Sequence, residues 1–208
     1  MAFELTSKTL REGQPIPAVN AMGVPGEGGP VPGPNRSPHL AWSGAPAGTQ
    51  SFAVICVDLD APTKPDDVNK SDRTVPYALA RADFFHWVLV DIPKNITELS
   101  EGLDADGLVA GGKAPERRPY GLRGLNDYTG WFATDEAMAG HYAGYDGPWP
   151  PFNDERRHRY VFHLFALDVE SLGLSGHFGG ADARRAMRGR VLGETTIKTT
   201  YAIYPKAR

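Results

Sequence analysis

One ten-residue stretch, Ser51 to Asp60 (SFAVICVDLD), constrains the fold of this chain more than any other. Phe, Ala, Val, Ile, Cys and Val follow one another without a polar break, and Ala61-Pro62 ends the run. So short an apolar run reads as a strand, and its lack of alternation means that both faces are covered. Phe84 to Ile92 (FFHWVLVDI), closed by Pro93, and Arg159 to Val169 (RYVFHLFALDV) are runs of the same kind, rich in aromatic and β-branched residues. Thr195 to Tyr204 reads as a final strand. The 24 glycines and 18 prolines are spread along all 208 residues, which suits many turns better than long helices. Two helices are expected, over 182–190 (DARRAMRGR) and over 134–141, where Thr134 could cap and Asp135 and Glu136 suit the first turn. The segment 21–38 reads as loop, and its glycines lack the Gly-Lys-Ser/Thr ending of a phosphate-binding loop. Strands joined by turns, with few helices, argue for an antiparallel sandwich or barrel. The expectation is one domain over 1–208, with insertions near 64–83 and 126–146 that are candidate rims of a site.

Charge and cysteine content narrow the function classes. Twenty-two Lys and Arg against 25 Asp and Glu give a formal net charge of −3, without the basic surplus of a nucleic-acid footprint. Cys56 is the single cysteine, so an intramolecular disulfide and a cysteine-based zinc site are both excluded, and its apolar run predicts a buried thiol. The N-terminus carries charges instead of an apolar signal region, and no apolar stretch is long enough to span a bilayer, so a cytoplasmic location is expected.

The chemistry-bearing residues lie where the strands end. Strand alternation puts Asp58 and Asp60 on one face, where two carboxylates leaving an apolar strand are costly unless bonded. One of them is expected to bond loop backbone and the other to line a pocket. His158 and Tyr160 repeat the two-residue spacing, with Arg159 pointing away, and His86 lies between Phe85 and Trp87. Gly147-Pro148-Trp149-Pro150-Pro151 forms a stiff loop just upstream. Imidazoles, a phenol and a carboxylate set among Trp and Pro fit a small polar pocket with an apolar collar, suited to a phosphate or phosphomonoester.

DLDAP (58–62), FHWVLVDIP (85–93) and GPWPP followed by HRYVFHLFAL (147–151, 158–167) resemble the three signature blocks of the phosphatidylethanolamine-binding protein family, in its bacterial Raf-kinase-inhibitor-like branch. NRSPHLAW (35–42), ITELSEG (96–102) and AMRGRVLGE (186–194) extend the resemblance from about Phe3 to Tyr204. It implies a mainly β fold, a two-sheet antiparallel Greek-key sandwich with a short C-terminal helix and an anion pocket at one end. Carried over position by position, it implies a ligand site of Asp58, Pro62, His86, Gly147, Pro148, His158 and Tyr160, to which the residue reading adds Asp60. Trp87, Trp131 and Trp149 are the candidate rim. Two departures stand out: Leu59 where the family usually has Pro, and Trp149 where bacterial members commonly have Cys.

The expected partner is a phosphate-bearing or other anionic small molecule, such as phosphate, phosphoethanolamine or a phospholipid head group. The resemblance also allows a protein partner of the kinase or protease type, and a homodimer is compatible with a sandwich. No cofactor and no metal is called for. The alternative is an enzyme using the same Asp and His groups for acid–base chemistry on a small metabolite. No catalytic residue is assigned, because no nucleophile stands out; Ser175 in GLSGH lacks the G-x-S-x-G elbow.

Overall fold

The three long apolar runs become neighbours in one sheet. In a computed structural model describing residues 2–208, the strands in chain order are β1 Glu4–Thr6, β2 Gly23–Gly26, β3 Gly29–Pro32, β4 Leu40–Ser43, β5 Ser51–Pro62 and β6 Arg81–Pro93. There follow β7 Glu98–Leu99, β8 Gly112–Lys113, β9 Arg117–Arg118, β10 Gly121–Arg123, β11 His141–Tyr142, β12 His158–Leu167 and β13 Val191–Tyr201. The α-helices are a single turn, α1 Tyr128–Trp131, and the short α2 Gly180–Ala186.

The large sheet is antiparallel with strand order β13-β12-β5-β6-β10-β9, and a smaller antiparallel sheet runs β1-β4-β7. The order β12-β5-β6-β10 is that of a Greek key, in which the fourth strand returns beside the first. Leu5, Leu40, Trp42 and Leu99 of the small sheet pack in one core with Phe52, Val54, Cys56, Trp87, Leu89, Phe162 and Leu164 of the large one. The opposite face of the large sheet buries Ala53, Ile55, Val57, Val88 and Val90 under Phe178, Ala183 and Met187 from the α2 region. Alternate residues of β5 thus serve two cores, which is why its sequence is apolar throughout; each large side chain so buried contributes about 1.5–3 kcal/mol.

Three expectations are corrected. The segment 21–38 contains the hairpin β2–β3, with Gly28 at φ +84 and Gly29 at φ +148 in its turn. Its low strand propensity is overridden by tertiary bonds: the N–H groups of Met22 and Gly23 donate to the Pro148 carbonyl at 3.1 and 3.0 Å, and the Tyr201 hydroxyl donates to the Gly23 carbonyl at 2.9 Å. No helix forms over 134–141. There the Asp135 carboxylate accepts the Ala137 and Met138 N–H groups at 3.0 and 3.2 Å, a local turn that competes with helix. The single helical turn of this region lies earlier, at α1. Helix α2 begins two residues before the expected 182 and ends at Ala186, since Gly189 at φ +73 turns the chain into β13.

Both suspected insertions are tied down. Asn153 donates its side-chain N–H groups to the carbonyls of Asp67, Lys70 and Arg73 at 2.8, 3.0 and 2.8 Å, pinning 64–83. In 126–146, β11 pairs in parallel with β8, and Tyr128 and Tyr142 are buried. No described helix is long and apolar enough to cross a membrane.

Candidate functional site

Two β-bulges set the direction of the site residues. Along β5 and β6, Cys56 pairs with Trp87 and Val57 with Phe85, so His86 is an extra residue in the ladder. The alternation therefore slips by one. Phe84 and His86 face a cavity, Phe85 faces the α2 layer, and Trp87 and Leu89 enter the core between the sheets. Re-aiming a side chain is what a bulge beside a site does. A second register shift lies between Asp58 and Ala61 and separates the two aspartates that strict alternation would align.

Asp58 stays on the cavity side, directly across the ladder from Tyr160. Asp60 leaves it. Its carboxylate accepts the Arg159 backbone N–H at 2.9 Å, the Arg159 Nε and Nη2 groups at 2.8 and 3.0 Å, and Arg156 Nη1 at 3.1 Å. Burial works against its charge, but the Arg159 and Arg156 bonds hold the carboxyl below its ordinary range. Asp60 is therefore the aspartate that shapes the strand end, and it does not line the cavity.

The cavity has a volume of about 420 Å³ and is walled by Pro30, Asp58, Ala61, Pro62, Asn69, Phe84, His86 and Tyr128, then by Trp131, Phe132, Trp149, Pro150, Pro151, Phe152, His158 and Tyr160. Of the residues singled out from sequence, Asp58, Pro62, His86, His158, Tyr160, Trp131 and Trp149 meet here. Gly147 and Pro148 stand behind the wall. The Gly147 N–H donates to Asn35 Oδ1 at 2.8 Å, and its carbonyl accepts the Tyr128 hydroxyl at 2.9 Å. Trp87, expected at the rim, is instead 1% exposed in the core, because the bulge turns it inward, and its indole N–H donates to Asp104 at 2.7 Å.

At the polar end, His158 Nδ1 lies 2.7 Å from Asp58 Oδ2 and Nε2 lies 3.0 Å from Asp154 Oδ2. Burial disfavours a charged ring, but the two carboxylates outweigh it and raise the His158 pKa to about 9. His158 is thus an imidazolium with both N–H groups spent. Asp154 is itself held by Arg81, at 2.5 and 2.9 Å, and the His158 and Arg81 bonds outweigh burial to keep its carboxyl below the usual range.

His86 is the opposite case. Its Nδ1 lies 2.9 Å from the Asp146 carbonyl, which can only accept, so Nδ1 carries the hydrogen. Burial lowers its pKa despite Asp58 and Asp146 nearby, so the ring is neutral and Nε2 keeps a lone pair. No described protein group bonds Nε2. The Tyr160 hydroxyl is buried and makes no hydrogen bond within strict geometry, although Asp58 lies close enough to act on it, and burial followed by the Asp58 charge keeps it protonated. A buried polar atom left unpaired costs about 1–3 kcal/mol. The site therefore offers one free hydroxyl, one free imidazole nitrogen and a carboxylate edge at the foot of an aromatic funnel.

Sequence reasoning missed Asp154, Asn69, Pro30 and Phe84, whereas Tyr128 and Phe132 belong to the aromatic insertion 126–146 expected at the rim. Asp154 carried one signal: it stands four residues before His158, close after the proline-rich loop. Among the described residues, no three His, Cys, Asp or Glu side chains converge as a metal site.

Comparison with known proteins agrees with this architecture. The profile of the phosphatidylethanolamine-binding protein family matches residues 6–202. The UPF0098 protein YbhB of Escherichia coli (strain K12) is 34% identical over 182 residues, covering 86% of this chain and 87% of its own length. A UPF0098 protein of Aquifex aeolicus is 31% identical over 199 residues, covering 96% and 88%. The crystal structure of E. coli YbcL, described as a new member of the mammalian PEBP family, superposes with a TM-score of 0.66 at 27% identity, covering 97% of this chain and 98% of that one. With the family profile matched across 6–202, this chain belongs to the phosphatidylethanolamine-binding protein family.

Proposed function

We propose that this chain is a single-domain binding module that captures a small phosphate-bearing anion at Asp58, His86, His158 and Tyr160, without turning it over. One observation carries the reading: the Tyr160 hydroxyl is buried, unpaired and beside a cavity. An oxyanion would accept that hydroxyl and relieve the cost of leaving it alone. The imidazolium of His158 and the guanidinium of Arg81 balance the Asp58 and Asp154 carboxylates, so the polar end is close to neutral and does not repel an anion by net charge. Dianionic phosphate, however, would face the Nε2 lone pair of His86, so capture brings one proton, on His86 or on the anion. Pro62 and the Gly147–Pro148 backbone hold the walls for this pocket, while Asp60 acts only through the strand end. A cytoplasmic location and regulation of a kinase or protease partner fit such a module.

Calorimetric titration with inorganic phosphate and phosphoethanolamine tests it. Binding is expected at pH 6.5, where inorganic phosphate already carries the needed proton, and is expected to weaken about tenfold per pH unit above 7.5, where one proton is taken up per phosphate bound. His86→Ala and His158→Ala are expected to abolish it. Absence of binding by either anion overturns the reading. The unbonded Nε2 of neutral His86 also favours a second reading, general-base chemistry on a small metabolite. Turnover that disappears in His86→Ala would replace the first reading with this one.

A further inference from the structure

The polar end accounts for only a small part of the cavity. A volume of about 420 Å³ falls within the roughly 300–1,000 Å³ of pockets for drug-sized ligands. Beyond Tyr160 and His86 the walls are almost wholly aromatic and prolyl: Phe84, Tyr128, Phe132, Trp131, Trp149 and Phe152, with prolines between them. Half of these rings already have ring partners. Phe84 meets Tyr128 edge-on at 5.1 Å, and Tyr128 stacks on Phe132 at 5.4 Å. Trp131, Trp149 and Phe152 meet no other aromatic ring among the described residues. Trp131 is moreover 48% exposed, a large indole left at the cavity edge with water on one side.

Aromatic faces prefer flat partners in offset-stacked or edge-to-face arrangements, and stacking a flat base on such a face is worth about 1–3 kcal/mol. Trp131 is supplied by α1 and Trp149 by the proline-rich loop. Each is held from behind, by the Asn126 side chain accepting the Tyr128 N–H at 3.1 Å and by the Pro148 carbonyl bonded to the β2 hairpin. The rings are therefore presented on braced backbone, which limits the entropy lost on binding.

From this we infer that the ligand is an aryl or heteroaryl phosphomonoester, its phosphate at Tyr160 and His86 and its flat ring against Trp131 and Trp149. The inference rests on the anion-binding reading and adds the body that the anion carries. An aliphatic body would use the apolar surface but not the ring faces.

The test is calorimetric titration of the full chain at pH 6.5 with inorganic phosphate, phenyl phosphate and n-hexyl phosphate. Phenyl phosphate is expected to bind at least about tenfold tighter than inorganic phosphate, a difference of about 1.4 kcal/mol, and tighter than n-hexyl phosphate. Trp131→Ala, on an exposed turn, is expected to reduce the phenyl-to-inorganic preference at least about threefold, and Phe152→Ala provides a second variant with the same direction of change. Phenyl phosphate binding no tighter than inorganic phosphate overturns the inference and leaves the anion reading standing. Tightest binding by n-hexyl phosphate overturns it in favour of an aliphatic body. Silence from all three overturns the anion reading itself.

Discussion

His86 and Trp87 are consecutive residues, both turned to the same side of the large sheet by one bulge, and they end in opposite kinds of polar environment. Trp87 reaches Asp104, whose two oxygens also accept the Tyr145 N–H at 3.0 Å, the Tyr120 hydroxyl at 2.8 Å and Arg123 Nε at 2.6 Å. Every lone pair that matters there is used, and none of these residues lines the aromatic cavity. His86 faces Asp58, Tyr160 and His158, where one hydroxyl and one ring nitrogen stay unused beside open space. The two clusters are similar in composition and burial. Completeness separates them: a closed network holds the fold, whereas an open one keeps bonding capacity for something that arrives.

Breaking the closed network should have the largest effect. Arg123→Ala would leave Asp104 as an uncompensated buried charge and is expected to lower stability by about 3–5 kcal/mol, read by urea denaturation. A loss under about 1 kcal/mol would mean that Asp104 keeps enough partners without Arg123 and that the cluster is not a closed network.

The next effect belongs to the open cluster. His158 has a pKa of about 9 in the folded chain against an ordinary value of 6.5, so its contribution to stability is complete below about pH 6.5 and fades as pH rises through 9. On the order of 3 kcal/mol should be lost across that window, and His158→Gln should flatten the dependence in a pH series of denaturation midpoints. Asp154 works in the other direction. Its lowered carboxyl pKa gives stability that is present above about pH 4 and is lost in acid.

The smallest effect is the sharpest discriminator. Tyr120→Phe removes a hydroxyl bonded to Asp104 and should destabilise by about 1 kcal/mol or more, whereas Tyr160→Phe removes an unpaired one and should leave stability unchanged or raised by about 1 kcal/mol. Phosphate affinity should fall in Tyr160→Phe and not in Tyr120→Phe. Equal stability losses in the two variants would erase the distinction between the clusters.

Much of the large sheet was legible because burial on both faces leaves an unmistakable apolar run, as in β5, and because His158 and Tyr160 keep strict alternation. The strands missed are those held by other parts of the chain. Nothing in GVPGEGGPVP announces a hairpin, since its bonds come from Pro148 and Tyr201. The divergence of Asp58 and Asp60 was illegible for a related reason: alternation is a local rule, and the shift that breaks it depends on how β5 meets β6. Asp154 was overlooked because an aspartate in a connecting segment looks solvated until Arg81, 73 residues upstream, is seen beside it. The aromatic wall was visible as composition in 126–146, but which rings face the cavity is decided by the one turn of α1.

The extra residue at His86 has a consequence for how this pocket can change. It is a matter of count, not of chemical identity. Removing His86 alone would restore regular alternation and leave the flanking pairs in place, Val57 with Phe85 and Cys56 with Trp87, so the imidazole would be lost while the Asp104 network stayed intact. Length is thus a second alphabet in which this site is written, and engineering that varies only side chains leaves it unread.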